Sequence, residues 1–263
     1  MTKTYFDVTG QELSPNLREQ LEYFDGDVSR FNKRVDRASD DEQRTDRALR
    51  AITSCMWGLT IRHFGFPYET PALAYCQKGL ELAELYFNLV GPKILAAAPK
   101  VEWYTVSLRS FLLASLSNQH EVRTQFADYL VPQLQVEPMA IPEEPLHGDL
   151  LLVIASSMRS EPMNVTQQLT QLGNSRKKRP KLLLQAFHAL QNDDQAKFTQ
   201  SIIASTDRFV NSSACENNVL LDATAKLESV LVGLAWEKGW QDLDFPFETA
   251  ARLITHRSIG IAP

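Results

Sequence analysis

Residues 184–202 read LQAFHALQNDDQAKFTQSI, and their reading decides the fold. Two runs with helix-like apolar spacing flank a polar centre, Asn192-Asp193-Asp194. Leu184, Phe187, His188 and Leu190 lie on or near one face of the first run, and Ala196, Phe198, Ile202 and Ile203 do the same in the second. The acidic pair is either an active-site couple or the connection of a helical hairpin. A hairpin needs a tight polar turn. Asp193 can accept backbone N–H bonds at the start of the second helix, and the pair suits the positive end of its dipole. Catalysis by an isolated Asp-Asp pair would need a base or a metal, and the sequence supplies neither nearby. The expectation is cap and turn.

The same spacing recurs outward in both directions. Ser14-Pro15 has the form of an N-cap followed by proline. The apolar set Leu17, Leu21, Phe24, Val28, Phe31 and Val35 then marks one helix face. The charged stretch RASDDEQRTDRALR (37–50) closes that helix and opens a second, with Ala48, Ile52, Cys55, Met56, Leu59 and His63 on one face. Thr70-Pro71 begins a third, carrying Leu73, Cys76, Leu80, Ala83, Phe87 and Val90, which Gly91-Pro92 is expected to break. Further helices are expected over 103–117, around Val122, Phe126, Tyr129 and Leu130, and over 149–158 and 165–172. The proline-rich stretch QVEPMAIPEEPLHG (135–148) is a linker or long surface loop and the candidate subdomain boundary. NSRKKRP (174–180) reads as a solvated basic loop, and NSSACENN (211–218) as a polar turn with Asn218 as a cap. A last long helix runs through Leu221, Ala225, Leu227, Val230, Leu231, Leu234 and Ala235 to a stop at Gly239. A short closing helix carries Phe247, Ala250, Ala251 and Ile254.

No window alternates with period two. VSLRSFLLA and LLLVIASSM have the apolar density of buried strands, but both extend at helical spacing. The chain is therefore expected to be all-α, with about ten helices as irregular stacked antiparallel hairpins in one globular domain, 1–263. Segments 111–130, 151–172 and 184–202 share a helix–turn–helix style, but their offsets of 40 and 33 residues are no fixed repeat.

Composition narrows the function classes. With 27 basic and 32 acidic residues the formal charge is −5, which argues against general nucleic-acid binding and suits a basic protein partner. The three cysteines, Cys55, Cys76 and Cys215, form no CxxC and read as reduced thiols of a cytoplasmic protein. The opening residues have no signal-peptide core, and no stretch has the roughly 18 uninterrupted apolar residues of a membrane span. The five histidines form no HExxH or HxH, and no phosphate-binding or nucleophile-elbow glycine motif occurs. His147-Gly148-Asp149 sits at a helix start, with Asp149 expected as its cap. Asp40-Asp41 begins like an aspartate-rich diphosphate motif, but Arg44 stands where the third aspartate belongs. That run reads as a salt-bridged solvated face, with Asp40, Asp41, Glu42 and Asp46 as candidate partner-binding residues. No catalytic, cofactor or metal residue is expected.

FHALQNDDQAKF, then LVGLAWEKGW, then FPFETAARLI resemble the second half of the immunity protein 49 family of bacterial polymorphic toxin systems. The resemblance covers roughly residues 146–254 and rests on packing motifs, so it transfers no functional residue. It implies a helical cytoplasmic antidote that binds a cognate toxin stoichiometrically, without catalysis or cofactor. The alternative from the same residues is a helical scaffold or adaptor with another protein partner.

Overall fold

The structure is a computed structural model, and it describes residues 27–65, 70–95, 100–117, 119–136, 146–161, 163–212, 215 and 224–261. Among these residues the chain forms eleven α-helices and no strand. In order they are α1 (Ser29–Asp36), α2 (Asp41–His63), α3 (Ala72–Leu95), α4 (Lys100–Leu116), α5 (His120–Val136) and α6 (His147–Ser157). There follow α7 (Thr166–Asn174), α8 (Lys178–Gln191), α9 (Gln195–Val210), α10 (Lys226–Glu237) and α11 (Phe247–Ala250), then a 3-10 turn at Arg257–Ile259. The hairpins α2/α3 and α8/α9 are the most closely paired elements, and α4 and α10 cross between them. One continuous apolar core runs from Phe31 in α1 to Ile259 in the 3-10 turn.

The acidic pair in the hairpin connection divides its work. Asp193 has φ +60°, the left-handed position that commonly ends a helix. The Asp194 N–H reaches back 2.9 Å to the Ala189 carbonyl, closing α8. The Asp194 side chain then accepts from the Lys197 N–H at 3.0 Å and opens α9. So the expected turn is present, but the capping acceptor is Asp194 rather than Asp193. Gly239 behaves as expected: with φ +95° it ends α10, and the Trp240 N–H bonds the Ala235 carbonyl at 2.9 Å.

α4 explains why two segments resembled strands. Val106, Leu108, Phe111, Leu112, Leu113, Ala114 and Leu116 are all buried, and Thr105 and Arg109 form only a narrow half-buried polar stripe. Its small polar residues are buried too, with the Ser110 hydroxyl donating to the Val106 carbonyl and that of Ser115 to Leu112. α6 is similar, with residues 150–155 all buried. Close crossings depend on glycine. A Cβ on Gly233 would lie 2.6 Å from the Ser115 Oγ, and one on Gly58 would lie 2.5 Å from the Tyr75 ring.

Several boundaries differ from expectation. α3 continues through Gly91-Pro92 to Leu95, so the expected break at that pair does not occur. α6 begins at His147, which places Asp149 in its first turn without a capping bond. Leu73 is 39% exposed, although it was expected on the core face. The closing helix is a single turn, and Phe247 at its start is 74% exposed. One turn cannot establish a helical face, and there Thr249, not Phe247, is buried. The expected cap at Asn218, the start of the last helix at Leu221, the Ser14-Pro15 helix start and most of the proline-rich linker lie outside the described residues.

The segment after α10 packs back on the end of α2 and on the start of α10. The Arg62 side chain donates to the Ile259 carbonyl at 3.4 Å, and the His63 Nε2 lies 3.0 Å from the Ala251 carbonyl. The Ala225 N–H bonds the Arg252 carbonyl at 2.8 Å, and the Ile254 N–H bonds the Ser229 hydroxyl at 3.0 Å.

Candidate functional site

The acidic run lies on the exposed first turns of α2. Asp40 is the N-cap, accepting from the Gln43 N–H at 2.8 Å and the Ser39 hydroxyl at 2.7 Å, and these bonds hold its carboxyl below the usual range. Asp41 and Glu42 are exposed in the first turn. Asp46 pairs with Arg50 one turn on, at 2.8 Å. Arg47 bonds the Arg34 carbonyl at 2.8 Å and ties this helix start to α1. The four candidate residues thus share one exposed helix start, with Asp40 engaged in capping and Asp46 in a local pair.

The basic run is less uniform than its sequence suggested. Only residues 175–177 connect α7 to α8, since Lys178, Arg179 and Pro180 already form the first turn of α8. Arg179 points inward, correcting the expectation of a solvated loop. Its Nε and Nη2 donate to the two carboxylate oxygens of Glu228, each at 3.0 Å. Ser205 donates to the same carboxylate at 2.6 Å, and the guanidinium sits 4.9 Å from the centre of the Phe209 ring. Burial alone would raise the Glu228 carboxyl, but the Arg179 charge and the hydrogen bonds outweigh it and hold the group below its ordinary value. The pair joins α8, α9 and α10. Sequence offered no signal for it, because Arg179 and Glu228 are 49 residues apart. Lys178 and Lys181 stay outside, in a cleft between α8 and α9.

A second buried cation, Arg123 in α5, pairs with Glu237 at the end of α10 and lies 2.6 Å from the His120 Nδ1. At the opposite end of the α8/α9 hairpin, Lys238 pairs with Asp193 at 2.6 Å and also donates to the Leu190 carbonyl. Trp240 packs edge-on against Phe198 of α9, with ring centres 5.5 Å apart. Trp236 stacks on His256 at 4.7 Å. His256 is almost wholly buried, and desolvation depresses its pKa to about 4 despite a hydrogen bond to the Ser115 backbone.

Among the described residues no group of three or more His, Cys, Asp or Glu side chains could hold a metal ion, and no helix is long and apolar enough to cross a membrane. No disulfide joins Cys55, Cys76 and Cys215, all of which lie among the described residues. Burial pushes the Cys76 thiol up to about 12 and raises that of Cys55 further, so neither is a thiolate near neutral pH.

A partly enclosed groove of about 480 Å³ lies between α3 and α5. Leu80, Phe126 and Tyr129 give it an apolar floor, and Glu81 and Glu84 stand among side-chain amides at its edge. Glu81 is paired with Lys78. The Tyr129 hydroxyl donates to the Phe87 carbonyl at 2.9 Å, which holds the ring across the groove. Nothing in this geometry places a nucleophile beside a base; it offers a surface for contact. Comparison of the chain with family models, curated proteins and solved structures gave no match.

Proposed function

We propose that this chain is an immunity protein that neutralises a cognate antibacterial toxin in the cytoplasm by stoichiometric binding. One observation carries the reading. The three stretches that resemble the immunity protein 49 family meet in one packed corner. Asp193 and Leu190 of the first hold Lys238 of the second, Phe198 of the first packs on Trp240, and α11 of the third packs on α9. The acidic balance of the chain supports a basic partner, which it would steer into encounter. On this reading Asp40, Asp41, Glu42 and Asp46 form the first contact surface, and the α3/α5 groove, with its carboxylates over an apolar floor, forms a second.

The test is a tagged pull-down from native lysate followed by growth rescue. A near-stoichiometric partner with a secretion-linked toxin domain, whose toxicity co-expression abolishes, is the expected result. Recovery of housekeeping proteins alone, while the toxin is demonstrably expressed, would overturn the reading in favour of a scaffold. Charge reversal at all four acidic positions separates surface from role. Unchanged toxin affinity would discard that surface and leave the immunity reading standing.

A further inference from the structure

We propose that the cleft between the start of α8 and the end of α9 is a docking site for an acidic segment of a partner protein. The inference does not rest on the immunity reading. Lys178 and Lys181 stand one turn apart on α8, Arg208 faces them from α9, and together they line a cleft of about 610 Å³. None of the three side chains has a hydrogen-bond or ion-pair partner among the described residues. Some exposed cations are matched, Arg30 with Asp27, Arg50 with Asp46 and Lys238 with Asp193, and others such as Arg37 and Lys197 stand singly, whereas here three share one cleft. Three unmatched cations around one cleft outnumber its single carboxylate and leave a local positive potential that attracts an external anion. Like charges one helical turn apart also repel, so the arrangement is relieved when such an anion arrives. Asp207 is the one carboxylate among the described residues lining the cleft.

The lining selects among anions. Leu182 and Ala204 provide an aliphatic patch between the cations. None of the described residues lining the cleft is aromatic, so it lacks the stacking platform that single-stranded nucleic acid uses. The overall charge of −5 repels a long polyanion beyond this patch. A peptide with carboxylates around one apolar residue fits both features. Arg208 can grip a carboxylate through its planar fork, and the lysines act as point charges beside it.

The full-length ¹⁵N-labelled protein would be titrated at low salt with a peptide of alternating Glu and Leu, and separately with a thymidine oligonucleotide of equal charge. Saturable amide shifts should be confined to Lys178, Lys181, Leu182, Asp207, Arg208 and their neighbours. Affinity should fall about tenfold or more in K178E/K181E. It should rise about threefold in D207N, a gain that misfolding cannot produce. Shifts scattered over other faces, equal affinity in K178E/K181E, or tighter binding of the oligonucleotide would each overturn the proposal.

Discussion

Replacing Arg179 by Met tests whether the Arg179–Glu228 pair is as dry as its geometry requires. Glu228 is fully buried and Arg179 is 9% exposed, so neither charge has water to fall back on. At an effective dielectric constant near 20, two charges about 4 Å apart attract by roughly 4 kcal/mol. Methionine keeps much of the arginine stem but leaves the carboxylate with Ser205 as its remaining side-chain donor, at 2.6 Å. Breaking such a pair costs about 3–5 kcal/mol, or roughly 6–20 °C in Tm for a chain of this size. The pH dependence gives a sharper signature. In the native protein the Glu228 carboxyl lies below its ordinary 4.5, so its contribution is complete above that value and is lost as pH falls through the folded pKa. In R179M burial is opposed only by the Ser205 and backbone hydrogen bonds, and it raises the same carboxyl above its unfolded value. Protonation then relieves the variant, and the gap to the native protein narrows as pH falls from about 7 to about 5. A double variant, R179M/E228M, should recover stability to within about 1 kcal/mol of native. Urea unfolding at several pH values reads all three quantities. A cost below about 1 kcal/mol in R179M, with a pH-independent gap, would refute the reasoning.

The two aspartates of the α8/α9 turn should respond differently. D194A removes the acceptor for the Lys197 N–H and should cost about 1 kcal/mol, whereas D193G relieves a left-handed aspartate and loses only an exposed ion pair, so it should stay within about 0.5 kcal/mol of native in urea titrations. G233A drives a Cβ to 2.6 Å from the Ser115 Oγ and 2.8 Å from its Cβ, so it should cost about 1–3 kcal/mol of thermal stability; an unchanged Tm would mean that α4 and α10 separate freely. His256 is held neutral, with its pKa moved from 6.5 to about 4. The unfolded chain therefore binds the extra proton between those values, and stability present above pH 6.5 is lost as pH falls towards 4, by roughly 3 kcal/mol in total. H256F keeps a ring against Trp236 and should flatten that part of the pH profile; parallel profiles in the two proteins would contradict the assignment.

The all-α architecture and most helix positions were legible in the sequence, because amphipathic helices write their buried face at helical spacing. Ala48, Ile52, Cys55, Met56 and Leu59 were expected on one face of α2, and all five are fully buried. The stop at Gly239 and the polar turn at Asn192-Asp193-Asp194 were legible for a similar reason: caps are local, and the residues that make them sit within a few positions of each other. Periodicity failed where a helix is only one turn long, as in α11, where it misplaced Phe247. The candidate site was less legible. The acidic helix start at residues 37–50 was read as a salt-bridged face, and Asp46 is indeed held by Arg50 one turn on; that Asp40 is the residue capping α2 was not read.

What the sequence determined by itself was everything set by neighbours a few residues away: helical type, most turns, and the excess of negative charge. What only the tertiary structure decided was the fate of charges within a single run. Residues 176–179 read as four equivalent cations, yet Arg179 is buried against Glu228 while Lys178 opens onto the cleft with Lys181 and Arg208. The partner that separates them lies 49 residues away, and a charge is worth burying only where packing brings its counter-ion within hydrogen-bond reach.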